Sequence, residues 1–82
     1  MPDAKRTPSG GPSQAAREKY GVVGEDYPIF DQQSADSALR LRGKHKPPLT
    51  KAQRRSLIRR AAKFMPEMAK AAFELDTKNG DI

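Results

Sequence analysis

The sequence predicts an all-α fold: a small helical hairpin or three-helix unit with an extended N-terminal arm. Three observations lead there. Apolar residues recur at helical spacing from Leu57 to Leu75, capping residues stand where the periodic stretches begin, and no pair of alternating strands is found. The first third of the chain, rich in Pro, Gly, Ser and Ala, offers little from which to build a core.

Residues 1–26 are the arm. Their four basic and four acidic residues cancel, and so little apolar surface does not offset the entropy of ordering, so a flexible segment is expected. Within it, Gln14–Tyr20 suits a turn or two of helix ended by Gly21. Residues 27–76 are the helical module. It opens with Tyr27-Pro28-Ile29-Phe30, an extended aromatic and apolar plug restricted by Pro28.

A first module helix is expected over about residues 32–42. Asp31 or Ser34 caps its start, Asp36 suits its early turns, Arg40 and Arg42 suit its end, and Gly43 is a natural stop. Ala35, Ala38, Leu39 and Leu41 supply its apolar side. The linker "KHKPP" is stiff and basic. "TKAQ", Thr50 to Gln53, then fits a capping box for a helix over 50–64. Steps of about 100° from Leu57 place Ala61, Phe64, Met65, Met68, Ala72 and Leu75 on its arc, flanked by Ile58, Ala62 and Ala69. The opposite arc carries Arg55, Arg59, Arg60, Lys63 and Lys70. Pro66 ends or kinks this helix and suits the first position of another, over 66–75, with Glu67 in its first turn. "TKNGDI", residues 77–82, is a polar tail.

Composition narrows the chemistry. With 82 residues and 35% hydrophobic content, one small domain is the upper bound, and support from a partner is expected. The chain has no cysteine, which removes disulfides, thiol catalysis and Cys-based zinc sites. Its single histidine, His45, lies between Lys44 and Lys46, which repel a cation, so no metal site is expected. In that linker His45 reads as solvated or as a phosphate contact. No apolar run approaches the roughly 18 residues of a membrane span, and no apolar leader is seen, so the expected setting is the cytoplasm.

The net charge of +6 points to an anionic partner. It is concentrated in "KPPLTKAQRRSLIRRAAKF", residues 46–64, where Lys51, Arg54, Arg55, Arg59, Arg60 and Lys63 stand without one carboxylate. Lys51, Arg55, Arg59 and Lys63 repeat at every fourth residue and so stack along one side of a helix. Residues 65–82, with two lysines against four carboxylates, carry −2, so the positive charge is local. These six cations are the candidate anion-binding set. Tyr20, Tyr27, Pro28, Ile29, Phe30, Met65, Met68 and Phe73 are the candidate partner-docking set.

Other readings are weaker. Seven residues with two prolines, Gly43 to Leu49, are too many for the tight turn of a helix-turn-helix. Asp31, Asp36, Glu67 and Glu74 have capping or surface roles, and "SGGP" at residues 9–12 lacks the strand-to-helix context of a phosphate loop. Neither catalysis, a cofactor nor a small-molecule substrate is expected.

From Tyr27 to Phe64 the chain resembles a short helical module of tailed bacteriophages and prophages of actinobacteria. The resemblance rests on Tyr27-Pro28-Ile29, on Asp31 with Ala38-Leu39, and on Arg60-Ala61-Ala62-Lys63-Phe64. Where that module carries a longer apolar stretch after its first helix, this chain has "RGKHKPP". The resemblance implies a small virion-associated or morphogenesis protein, sometimes fused to larger phage head proteins, and no known catalytic residues. The expected function is therefore a non-enzymatic minor capsid or accessory protein that docks through its N-terminal arm and apolar helix stripe, its basic helix facing acidic capsid proteins or packaged DNA. The alternatives are a free-standing nucleic-acid binder acting through phosphate contacts and a small regulator of a host enzyme.

Overall fold

A computed structural model describes residues 6–7 and 10–82. In chain order these form α1 (Gln14–Tyr20), β1 (Gly21–Val23), β2 (Asp26–Pro28), α2 (Gln32–Leu41), α3 (Lys51–Ala61) and α4 (Pro66–Asn79). The all-α expectation is therefore corrected to a mixed α/β fold. β1 and β2 pair antiparallel, with Gly21 opposite Pro28 and Val23 opposite Asp26. The two-residue loop is Gly24-Glu25, with a positive φ of 61° at Gly24 alone; glycine at the first loop position is the type II′ pattern, whose twist suits a hairpin. Three-residue strands are too short to show the alternation by which strands are read from sequence.

Gly21 joins α1 to β1 where no side chain fits. A Cβ there would run into the Gly24 and Arg17 carbonyl oxygens and lie 2.9 Å from Glu25 Cα. The residues before it are folded onto the module. Ser13 Oγ accepts the Ala16 amide at 3.1 Å as the cap of α1. Ala16 is buried, and the Tyr20 ring lies 5.5 Å from that of Phe30. Arg6 Nη2 donates to both Asp31 carboxylate oxygens at 2.8 Å, while its guanidinium sits 5.0 Å over the Phe30 ring. Residues 1–5 and 8–9 of the expected arm lie outside the described residues.

Both module caps form. Asp31 accepts the Ser34 amide at 2.8 Å while Ser34 Oγ accepts the Asp31 amide at 3.0 Å. Thr50 Oγ1 accepts the Gln53 amide at 3.0 Å and Gln53 Oε1 accepts the Thr50 amide at 2.9 Å. Such reciprocal bonds satisfy amides that the first helical turn leaves without partners. α3 stops at Ala61, short of the expected Phe64, and the Phe64 and Met65 amides bond back to the Ala61 carbonyl. α4 starts on Pro66 and runs past the expected Leu75 to Asn79, where Gly80 at φ 79° closes it. Half of the expected polar tail is thus helix, and Ile82 packs against the core.

The core gathers Ile29, Leu39 and Leu57, all at 0% exposure, with alanines of α2, α3 and α4 around them. Small alanines let the helices approach closely around so few large side chains. Two expected core residues lie outside it: Leu41 is 50% and Leu75 51% exposed. Counting through Pro66 places Leu75 inside, but the helix restarts there and the phase shifts. Within α4 the inward positions are Ala69, Ala72 and Asp76, at i, i+3 and i+7.

Candidate functional site

The structure divides the six cations of the basic stretch into two groups. Arg54 turns inward, its Nη1 3.2 Å from Asp76 Oδ2. Arg42, beside the end of α2, grips the same carboxylate as a fork, Nε to Oδ2 at 2.8 Å and Nη2 to Oδ1 at 3.0 Å. Its Nη1 also donates to the Leu39 carbonyl. Asp76 is 2% exposed. Burial alone would raise its pKa, but hydrogen bonds from Arg42 and Arg54, helped by their charges, outweigh that and hold it below the ordinary carboxylate value. Arg54 is therefore removed from the anion-binding set: its anion is internal. Arg60 is half-buried, with Nε 3.3 Å from the Ile29 carbonyl oxygen, and contributes less outward charge than its position implied.

Lys51, Arg55, Arg59 and Lys63 remain exposed. Among the described residues none of the four makes an ion pair. The carboxylates that pair do so elsewhere: Asp31 with Arg6, Asp36 with Arg40, Asp76 with Arg42 and Arg54, and Asp26 with His45. The signal separating Arg54 from Arg55 was present in the sequence, since stepping around the helix left Arg54 outside the polar arc. Its partner was hidden, because Asp76 lies 22 positions away, beyond the helix restart at Pro66.

The docking set fares differently. Ile29 and Phe30 are in the core, Met65 and Met68 pack half-buried against it, and Pro28 closes the hairpin as part of β2. Tyr20 is held against Phe30. Tyr27, half-buried at a φ of 55°, donates from its hydroxyl to the Leu41 carbonyl at 2.7 Å and places its ring 5.7 Å from that of His45. Of these seven, Ile29 and Phe30 are buried and the other five are half-buried, with Tyr27 and Pro28 lining an open depression. Phe73 remains, at 46% exposure.

His45 is clasped rather than solvated. Its Nδ1 lies 2.7 Å from the Pro47 carbonyl oxygen and its Nε2 3.0 Å from Asp26 Oδ2. Both partners accept, so both ring nitrogens donate only as the imidazolium. Ser37 lines the same depression of about 530 Å³ as His45 and Asp26. The bond to Pro47 first, and then that to Asp26, raise the His45 pKa above its ordinary 6.5. A raised pKa contributes stability that is fully present below about 6.5 and lost as pH rises through the folded value. Titration of the His45 ring protons by NMR should therefore give a pKa above 6.5, lowered by Asp26→Asn; a parent value at or below 6.5 would mean the clasp is open in solution.

Among the described residues no three His, Asp or Glu side chains are grouped to hold a metal ion, and no helix is long and apolar enough to cross a membrane. No protein-family model, curated protein or solved structure matches the chain.

Proposed function

We propose that the protein is a non-enzymatic accessory component of a larger assembly and that it docks through the basic face of α3 onto an anionic surface. The virion of a tailed phage is the setting that the Tyr27–Phe64 resemblance implies. One observation carries the reading: Lys51, Arg55 and Arg59 stand at every fourth residue on the exposed side of α3, Lys63 is exposed in the turn after it, and among the described residues none of the four has an ion-pair partner, in a chain whose interior recruits Asp76 for other arginines. Each like-charge pair at this spacing costs a few tenths of a kcal/mol in an isolated helix. An anion supplied from outside turns that cost into affinity.

The test is to change these four residues together to glutamine. Glutamine is a good helix former, so the fold should persist and gain slightly from relief of repulsion. Binding to duplex DNA, used as a generic polyanion, should weaken at low salt. The slope of log affinity against log salt should shrink by up to about four contacts, each worth about 0.9. A variant that matches the parent at every salt concentration would show that the face is only solvated.

A further inference from the structure

A groove of about 310 Å³ runs beside the basic stripe. From α3 it is lined by Arg55, Ile58, Arg59 and Ala62, and from α4 by Pro66, Ala69, Lys70 and Phe73. Both strips have the spacing i, i+3, i+4, i+7, so each helix presents two turns of one face to the same space. We propose that this groove is the docking site for an acidic amphipathic helix of a partner protein. The proposal rests on the basic-face reading and names its partner's chemistry.

The lining selects that occupant. Ile58 and Ala69 form a nearly covered floor, the small Ala62 lets a guest backbone come close, and the half-exposed Phe73 makes an apolar wall. Arg55, Arg59 and Lys70 supply three cations at the rim, and no carboxylate lines the groove. A purely apolar guest would cover those cations without pairing them. A nucleic-acid backbone would pair with the rim but meet a floor without a single donor. A second copy of this chain brings the same net charge of +6 and is repelled. An amphipathic helix with apolar anchors at matching spacing and Asp or Glu on its flanks satisfies both floor and rim. The two methionines expected at such a surface are drawn to the core side, which leaves Phe73 as its aromatic contact.

The probe is a stapled helical peptide of about 14 residues, four turns, with leucines on one face and glutamates flanking them. A counterpart carries glutamine for each glutamate. Titrated into the isotopically labelled protein, the acidic peptide should shift the NMR signals of Ile58, Ala62, Ala69 and Phe73. It should bind more tightly than the glutamine peptide at low salt, with the gap closing as salt rises. Phe73→Gln, an exposed change to a helix former, should weaken the peptide by about tenfold and leave the salt slope on duplex DNA intact. That pattern supports the groove. Equal binding of the two peptides, shifts confined to Lys51 and Lys63, or duplex DNA perturbing the groove while the peptide does not, would each overturn it. If the polyanion still binds with a steep salt dependence in those cases, the basic face stands and the groove alone is refuted. If neither probe binds in a salt-dependent way, the basic-face reading fails as well.

Discussion

Replacing Asp76 with alanine should destabilise the protein by about 3–5 kcal/mol, the cost of breaking a buried ion pair from one side. The carboxylate is 2% exposed and holds two arginines from two other parts of the chain, Arg42 beyond α2 and Arg54 in α3. Its removal leaves two mostly buried guanidinium groups without their shared carboxylate, and Arg54 Nε is already buried with no acceptor among the described residues. For a domain whose total stability is of the order of 5–15 kcal/mol, that is enough to unfold much of the population. Urea unfolding of parent and variant measures it; a difference under about 1 kcal/mol would mean that water reaches the cluster. Asp31 behaves similarly. Burial would raise its pKa, but the Ser34 amide and Arg6 lower it below the ordinary value. Depressed carboxylate pKa values contribute stability that is present above the unfolded value near 3.9 and lost as pH falls through the folded one. Acid unfolding should therefore begin below about pH 4, and Asp76→Asn should remove part of that dependence.

Gly21→Ala should cost about 3 kcal/mol, at the upper end of overpacking penalties, because the obstructing atoms are backbone. The Gly24 and Arg17 carbonyl oxygens and Glu25 Cα do not swing away as a side chain would, so the hairpin must move off α1. Gly43→Ala is the matched control. A Cβ there meets nothing within 4 Å and the φ is not in the left-handed region, so the change should be neutral or slightly stabilising, by up to about 1 kcal/mol through the unfolded chain. Thermal unfolding of both variants separates a close approach from a general intolerance of side chains. Equal melting temperatures would show that the hairpin is not seated against α1.

The helices were legible because their signals are local. Asp31 with Ser34, Thr50 with Gln53, and Pro66 with Glu67 mark helix starts within four residues; α2 and α3 begin after their capping boxes, and α4, without a side-chain cap, begins on Pro66. The hairpin was not legible, since Val22-Val23 and Asp26-Tyr27 are too short for a period to emerge. Its one cue was Gly24-Glu25 between them. The interior cluster was missed for a different reason. Arg42, Arg54 and Asp76 are separated by 12 and 22 positions, so no local pattern joins them. In the candidate site, the every-fourth-residue stripe was visible in the sequence. Stepping around the helix already sets Arg54 apart from Arg55, but that its partner is Asp76, 22 positions away, depends on the packing.

Attachment to something much larger than itself, through the exposed Lys51, Arg55 and Arg59 of α3 and Lys63 just after it, is the role proposed for this chain. Sedimentation of a native-cell lysate, with the protein followed by antibody, tests it most directly. The parent should travel with a particle far heavier than its own 9.1 kDa, and raised salt should release it. The four-glutamine variant, folded by circular dichroism, should remain near the top of the gradient with free small proteins. Parent and variant travelling together, whether both with the particle or both free of it, would contradict the account.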